Sequence, residues 1–255
     1  VLDAAMNTTL AQNVIDLATP ANNLLTNRAL TGVLTFENVD MSAGGSTKKA
    51  TITGSDAVNT LKGTAGTDLI QGLKGADIIT GGAGIDTIRY ADGDEGGDTL
   101  DFSGADVIQL VVDDINASGK ADVFDEGDMT LANTDPTNTA GAVVALASTD
   151  YNEIAAGGTS VDAKVNVITT AAGYASVAAA IAAPAISAAD NSTIVYGFYN
   201  SANAVFEVHY VSDIGTLAAA YTDSVSEHIV SLTGLAAGGI AAGIGEANFG
   251  VLSLG

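Results

Sequence analysis

Residues 63–89 are three consecutive nonapeptides, which read GTAGTDLIQ, GLKGADIIT and GGAGIDTIR. The three nonapeptides are in register, with Gly at the first and fourth places, Asp at the sixth and Ile at the eighth. Such a fixed period indicates a repeat architecture in which each unit stacks on its neighbours. The sixth-place residues are Asp68, Asp77 and Asp86.

Degenerate copies flank these repeats. Residues 54–62 keep the first-place Gly and the apolar eighth place, with Asn59 where the others have Asp. After an acidic insertion at residues 92–97, partial copies over residues 96–108 supply Asp98 and Asp106. Upstream, the short alternating runs 13–17 and 32–36 predict irregular rungs that lead into the repeats.

The residue types explain what the repeat does. Glycine adopts the positive φ angles of a tight turn and brings backbone carbonyls together. The sixth-place carboxylates add oxygen ligands, and a flexible all-oxygen site suits Ca²⁺ better than Mg²⁺. Nine residues make one turn and one short strand with an inward eighth-place Ile. Eighteen residues then make a coil, so Asp68 should face Asp86, and Asn59 should face Asp77, with a cation between each pair.

We expect about two to four Ca²⁺ ions in these turns. A calcium-free Gly-rich β-helix is the alternative, but apposed carboxylates without a cation would repel each other. The candidate ligands, through carboxylate, amide or main-chain carbonyl oxygens, are Asn59, Gly63, Ala65, Gly66, Asp68, Gly72, Lys74, Gly75, Asp77, Gly81, Ala83, Gly84, Asp86, Asp98 and Asp106.

These residues resemble the RTX (repeat-in-toxin) pattern G-G-x-G-x-D-x-U-x, in which U is large and apolar. The resemblance implies a right-handed parallel β-roll that folds on calcium. It covers residues 54–108 closely and residues 1–53 loosely. Of the three clean repeats, only the third has the double glycine, at Gly81-Gly82, and Thr64 and Leu73 hold the second place in the other two. The D-T-L-D-F segment that starts at Asp98 is similar to the strands that close RTX blocks.

A second candidate calcium site lies in residues 114–125. This stretch matches the EF-hand loop at Asp114, Asn116, Ser118, Gly119 and Asp122, and Asp125 holds the twelfth place where Glu is usual. The preceding residues 107–112 predict a strand, which argues against a helix–loop–helix. A polar turn without calcium is the alternative, and the sequence leaves the two open.

The second half of the chain has a different composition. We predict a β-roll domain over residues 1–110 and a separate, mostly β (α+β) domain over residues 111–255. Residues 174–183 predict a short Ala-rich helix, and 193–199 and 204–211 predict a hairpin. A further helical turn is expected at 216–221, a strand at 228–232, and a final apolar segment at 249–254.

Charge and composition exclude several functions. The net charge is −22, with eight Lys and Arg in 255 residues, so nucleic acid and anionic membranes are unsuitable partners. There is no Cys, and no apolar run is long enough to span a membrane. His209 and His228 share no metal-site spacing, so we interpret each as a strand residue. No nucleophile or phosphate-loop motif occurs, so we expect no enzyme.

The RTX resemblance implies a bacterial protein that is exported by type I secretion machinery and folds outside the cell when calcium neutralises its turns. We expect a structural, self-associating subunit of the cell surface, such as an S-layer or matrix protein. The 145 residues after the roll exceed a bare secretion signal. The alternatives are a C-terminal export module of a secreted protease or lipase and the terminal part of an RTX adhesin. We also expect the chain to begin inside a longer polypeptide.

Overall fold

The structure is a computed structural model. It describes residues 2–3, 12–16, 38–42, 47–91, 96–112, 144–145, 151–154, 165–169, 172–182, 192–214, 225–235 and 243–253. The rung predicted at 32–36 and the helical turn predicted at 216–221 lie outside these residues.

The described residues are mainly strands, with one α-helix and one 3₁₀ turn at Glu246–Asn248. The elements are β1 (Leu2–Asp3), β2 (Gln12–Asp16), β3 (Asn38–Asp40), β4 (Lys49–Thr53), β5 (Thr60–Lys62), β6 (Leu69–Gln71), β7 (Ile78–Thr80), β8 (Thr87–Tyr90), β9 (Asp98–Asp101), β10 (Val107–Val112), β11 (Val144–Ala145), β12 (Tyr151–Ile154), β13 (Val165–Ile168), α1 (Val177–Ala182), β14 (Ser192–Asn200), β15 (Val205–Ile214), β16 (Val225–Thr233) and β17 (Phe249–Ser253).

The first ten strands form a parallel roll of two sheets. Odd-numbered strands lie in one sheet, in the order β1-β3-β5-β7-β9, and even-numbered strands lie in the other, in the order β10-β8-β6-β4-β2. Each strand pairs in parallel with the strand one coil away, as in the register of Ile70 with Ile88. The predicted parallel β-roll, with one coil per two nonapeptides, is therefore confirmed.

The core of the roll comes from the eighth place of the repeat. These side chains point between the two sheets, and each is 0% exposed: Leu61, Ile70, Ile79, Ile88, Leu100 and Ile108. Burying one such side chain contributes roughly 1.5–3 kcal/mol. These side chains form one row in each sheet, and the two facing rows hold the coils together while the turns are set at the two sides of the roll.

The C-terminal strands continue both sheets of the roll. β16 pairs in parallel with β9, and β17 pairs in parallel with β10. Beyond β16, the larger sheet runs on through β15, β14, β13 and β12, and β11 follows β17 in the smaller sheet. The division into two domains at residue 110 stays a prediction, but one cluster of buried apolar side chains spans both parts.

Apart from the untested helical turn at 216–221, the predicted local elements of the C-terminal half are found. β14 and β15 form the expected antiparallel hairpin, and β16 and β17 cover the predicted strand and final segment. The predicted helix is confirmed over Val177–Ala182 and begins later than expected, because the Ser176 hydroxyl accepts the N–H of Ala179 at 3.2 Å and caps its first turn. The Tyr196 hydroxyl donates to the Ala180 carbonyl at 3.1 Å and joins this helix to β14. None of the described helices is suited in length and hydropathy to cross a bilayer.

Candidate metal centre

The sixth-place residues lie at the junction of each turn and its strand, and all of them are buried. Because the coil repeats every two turns, they form two stacks at opposite sides of the roll. We call these stacks the first ladder and the second ladder. The first ladder contains Asp68, Asp86 and Asp106, and the second contains Asn59, Asp77 and Asp98.

In the first ladder, each carboxylate bonds the backbone one coil earlier. The N–H of Asp68 donates to Oδ1 of Asp86 at 2.8 Å, and the N–H of Asp86 donates to Oδ1 of Asp106 at 3.1 Å. At the start of the ladder, the N–H of Ala50 donates to Oδ1 of Asp68 at 2.6 Å. The expected juxtaposition of Asp68 and Asp86 is thus present in the structure.

The second ladder repeats this pattern on the other side. The N–H of Asn59 donates to Oδ1 of Asp77 at 2.7 Å, across 18 residues. The N–H of Asp77 donates to Oδ1 of Asp98 at 2.8 Å, across 21 residues. The spacing in sequence is thus three residues longer here, and the bond between the coils is kept at Asp98.

The first-place glycines make room for the second carboxylate oxygen. A Cβ at Gly63 would overlap both Oδ2 of Asp68 and the carbonyl oxygen of Gly81, one coil further on. A Cβ at Gly72 would overlap Oδ2 of Asp77 and lie 3.1 Å from Oδ2 of Asp98. Oxygen atoms from two successive coils therefore converge at points that only glycine leaves open, and such convergence fits a cation.

The second- and fourth-place residues close the turns against the preceding coil. Gly82 and Gly84 have φ angles of +114° and +111°. A Cβ at Gly82 would overlap the Thr64 carbonyl oxygen, and one at Gly84 would lie 2.5 Å from that of Gly66. Leu73 takes a positive φ of 68° at a second place without the freedom of glycine.

Among the described residues, no positive charge compensates the buried carboxylate of Asp86. Burial, together with the charges of Asp68 and Asp106, raises the pKa of Asp86 to about 7, although the hydrogen bond from the Asp68 backbone opposes this shift. Oδ2 of Asp86 is buried and accepts no hydrogen bond from the part of the chain that the structure describes. A carboxylate in this position needs a proton or a cation beside it.

Asp68 has a partner that the sequence reasoning missed. The Thr64 N–H donates to Oδ2 of Asp68 at 2.5 Å, and the Thr64 hydroxyl shares its proton between Oδ1 of Asp68 at 3.0 Å and the Lys48 carbonyl at 2.9 Å. Burial raises the pKa of Asp68, and the hydrogen bonds from Thr64 and Ala50 oppose that shift. The sequence signal for this partner is that Thr64 occupies the place of the second glycine of the repeat. By the pattern alone this is a mismatch, but the threonine supplies a hydroxyl donor.

The donor set fits calcium. Among the described side chains, no three His, Asp or Glu residues converge on one metal position. A cation in a ladder would therefore be held by one carboxylate from each of two coils and by backbone carbonyls such as those of Gly66 and Gly81. Hard oxygen ligands of this kind suit Ca²⁺.

The third-place residues Ala65, Lys74 and Ala83 have exposed side chains, so only their carbonyls could serve as ligands, and that role stays a prediction. The Lys74 ammonium lies 3.8 Å from an Asp56 carboxylate oxygen at the surface. The second candidate site, with Asp114, Asn116, Ser118, Asp122 and Asp125, lies outside the described residues. It also stays a prediction.

The two histidines lie together in the C-terminal sheet. The rings of His209 and His228 stack with centroids 4.8 Å apart, and His209 Nε2 lies 3.0 Å from a Glu207 carboxylate oxygen. His228 Nε2 lies 3.1 Å from the Ser231 hydroxyl. Both are strand residues, as predicted.

Comparison with known protein families matches residues 53–88 to the RTX calcium-binding nonapeptide repeat, in four copies. Comparisons with curated proteins and with solved structures returned no match to this chain. The matched residues cover the turns from Gly54 to Asp86, where the carboxylates and carbonyls converge. Residues 53–88 are therefore RTX calcium-binding nonapeptide repeats, and calcium is the ligand of this part of the protein.

Proposed function

We propose that the chain is the calcium-folded structural region of a secreted bacterial surface protein, such as an S-layer or matrix subunit, and that it has no catalytic activity of its own. The observation that carries the proposal is the pairing of β16 with β9 and of β17 with β10. Through these pairings, strands of the C-terminal half extend both sheets of the calcium roll. A structural subunit requires such a continuous framework.

Calcium would act on this region by neutralising the buried ladders. With calcium present, the facing carboxylates of Asp86 and Asp106 share a positive charge, so the coils stack without repulsion. Without calcium, the net charge of −22 and the buried carboxylates favour an expanded chain. A chain of this kind is suited to export in the unfolded form through type I secretion machinery and to folding outside the cell.

The sheet edges support self-association. Among the described strands, β12 and β11 each have a partner on one side only, as do β1 and β2 at the other end. Unpaired strand edges can pair with another chain. A subunit with two sheets and four such edges is suited to lateral growth into a lattice or to addition of further coils.

The test is light scattering of the purified chain in millimolar calcium and in EGTA. We expect large particles in calcium and, in EGTA, a monomer in which the roll is expanded. Asp86→Asn should reduce the assembly. Asp56→Asn is the matched control, because it removes the same charge from an exposed residue outside the ladders.

Each alternative function predicts a different result. A compact monomer in calcium would overturn the structural proposal and favour the export module of a secreted hydrolase. Calcium-dependent adhesion of the monomer to cells would favour the adhesin. An equal loss of assembly in Asp56→Asn and Asp86→Asn would show that overall charge, not the ladder, controls assembly.

A further inference from the structure

Charge is divided unevenly along the chain. Residues 47–91 contain five Lys or Arg and four Asp, a net charge of +1. The other 210 residues contain three Lys or Arg and 26 Asp or Glu, a net charge of −23. Three of the four Asp in the first group are the buried ladder residues Asp68, Asp77 and Asp86. Each calcium ion that they hold adds two positive charges, so the calcium-loaded repeats are a cationic region in an otherwise anionic chain.

Three lysines lie together at one edge of this region. Lys48 and Lys49 are exposed, and the side chain of Lys62 is 45% exposed. The Lys48 carbonyl oxygen lies 2.9 Å from the Thr64 hydroxyl, and Lys62 ends β5 directly before the turn that holds Thr64. Burial raises the pKa of Asp68 in the same turn, and the charge of Lys49 is among the effects that oppose this shift. We call these three lysines the lysine edge.

The lysine edge is open to a further partner. The Lys62 ammonium lies 3.6 Å from a carboxylate oxygen of Asp40, and both side chains are partly exposed. The Asp40 carboxylate also accepts hydrogen bonds from the N–H and the hydroxyl of Ser42. An exposed ion pair contributes about 1 kcal/mol or less. Lys62 can therefore exchange this contact for another carboxylate at little cost.

Two glutamates lie together near the free end of the larger sheet. Glu153 is on β12, the last strand of that sheet, and Glu246 begins the 3₁₀ turn before β17. Both side chains are exposed. Burial raises the pKa of Tyr151, and the charges of Glu153 and Glu246 raise it further, so both carboxylates lie near one hydroxyl. We call these two residues the glutamate end.

The lysine edge and the glutamate end lie toward opposite ends of the same two sheets. Asn248, in the 3₁₀ turn of Glu246, donates to the carbonyl oxygens of Gly104 and Asp106 in the last turn of the roll. The lysine edge adjoins β4 and β5, which are near the other end of the smaller and the larger sheet. Each chain therefore has a basic surface toward its first coils and an acidic surface toward its last strands.

Within the self-association proposed above, we propose that the lysine edge of one calcium-loaded chain binds the glutamate end of a second copy, head to tail. Complementary charge favours this contact, and it disfavours contact between two lysine edges or two glutamate ends. Because the two surfaces differ, every added copy leaves one of each exposed, as open-ended growth requires. Calcium would then act twice, since it folds the coils and neutralises the carboxylates behind the lysines.

Reversal of charge on each surface tests the contact. Lys48→Glu with Lys62→Glu makes the lysine edge acidic, and Glu153→Lys with Glu246→Lys makes the glutamate end basic. Lys49 is left in place because its charge acts on Asp68. In millimolar calcium, each double variant alone should lose the large particles seen by light scattering, because surfaces of like charge then meet. An equimolar mixture of the two should regain them, since every surface again has a partner of opposite charge.

The mixture also separates this contact from a defect in folding, because a misfolded variant cannot restore assembly. Large particles of either double variant alone would overturn the head-to-tail contact. Loss in both variants without recovery in the mixture would also overturn it. Absence of particles from the wild-type chain would instead overturn the proposed function as a whole.

Lys62→Glu and Lys74→Glu form a matched pair of single variants. Each lysine forms one exposed ion pair with an Asp of the preceding coil, Lys62 with Asp40 at 3.6 Å and Lys74 with Asp56 at 3.8 Å. Lys74 lies in a turn of the second ladder, on the opposite side of the roll. Lys62→Glu should therefore reduce particle size more than Lys74→Glu. An equal reduction would show that overall charge controls assembly and would overturn the assigned surface.

The wild-type chain gives a test that needs no variant. At saturating calcium, NaCl is raised toward 1 M, where the screening length falls to about 3 Å. We expect the particles to dissociate while the amides of β6 stay protected from hydrogen exchange, because the contact between chains is exposed and the ladders are buried. Particles that persist in 1 M NaCl would overturn a contact based on charge.

Discussion

Asp86 in the calcium turns and Glu207 in the C-terminal hairpin are both buried carboxylates, yet their pKa values shift in opposite directions. Burial raises the pKa of Asp86 to about 7. Burial also acts to raise the pKa of Glu207, but hydrogen bonds from His209, Asn200 and Asn203 outweigh it and lower this pKa to about 2. The hairpin thus stabilises its charged carboxylate with hydrogen bonds from its own side chains, and the roll requires a cation from solution.

The difference separates two ways of building one continuous sheet. In the roll, glycine and other small residues make room for ions, and the apolar core contains two facing rows of eighth-place side chains, one from each sheet. In the hairpin, aromatic side chains are buried on both faces, such as Phe206 on one face and Phe198 on the other. We therefore expect the two regions to respond differently to calcium, to substitution and to pH.

Removal of calcium should give the largest difference. In EGTA, amides of β6, β7 and β8 should lose most of their protection, because the ladders then carry uncompensated charge. Amides of the β14–β15 hairpin should keep much of theirs. Hydrogen exchange with mass spectrometry measures both regions in one sample, and equal loss in the two regions would contradict the comparison.

Substitution of the two carboxylates should give the second-largest difference between the roll and the hairpin. Glu207→Gln removes the charge that accepts three hydrogen bonds, and it should lower the free energy of unfolding by about 2 kcal/mol both in calcium and in EGTA. Asp86→Asn should lower the free energy of unfolding in calcium only. In EGTA, the same substitution should leave the free energy of unfolding unchanged or raise it. Thermal and urea unfolding followed by circular dichroism measure the effects, and a calcium-dependent effect of Glu207→Gln would contradict the assignment.

The response to pH follows from the two pKa shifts. For Asp86, the folded, calcium-free pKa of about 7 exceeds the ordinary value of 3.8, so the folded state binds more protons between these values. Its contribution is fully present below pH 4 and is lost as the pH rises toward 7. In EGTA, acidification from pH 7.5 to 5 should therefore stabilise the roll, and Asp86→Asn should weaken this response.

Glu207 gives the opposite sign in a lower range. Its folded pKa of about 2 lies below the ordinary 4.5, so its contribution is present above pH 4.5 and is lost as the pH falls toward 2. Glu207→Gln should thus remove part of the acid sensitivity below pH 4.5 and leave the response between pH 5 and 7 unchanged. Melting temperatures over this pH series, in EGTA, test both signs.

The smallest effect should come from Leu73. A non-glycine residue at a φ of 68° costs about 1 kcal/mol, so Leu73→Gly should stabilise the calcium-bound roll by roughly that amount. Gly82→Ala is the reciprocal variant, and it should strongly destabilise the roll because its Cβ would overlap the Thr64 carbonyl. Destabilisation by Leu73→Gly would show that the side chain contributes more by packing than the backbone loses by strain.

Local patterns carried much of the structure. The nine-residue period predicted the parallel roll, the buried eighth-place side chains from Leu61 to Ile108 and the opposition of Asp68 and Asp86. Each of these follows from chain geometry within one coil. Alternation predicted the hairpin, whose strands are adjacent in the sequence.

Non-local contacts could not be predicted in this way. The pairing of β16 with β9 and the bonds of Asn248 to the last turn join residues that share no periodicity. The donor role of Thr64 also depends on the position of Asp68 in the folded turn, and the repeat pattern marks Thr64 only as a departure from glycine.

The pairing of β16 and β17 with the roll sets the order of events during synthesis. The Thr233 hydroxyl bonds the Leu100 carbonyl across 133 residues, and Asn248 bonds the Gly104 carbonyl across 144 residues. Contacts between residues so far apart in the sequence form slowly, because the intervening chain must first close a large loop. The ribosome must release residues 225–253 before either sheet can be completed. For a long interval of synthesis, both sheets therefore lack their C-terminal strands.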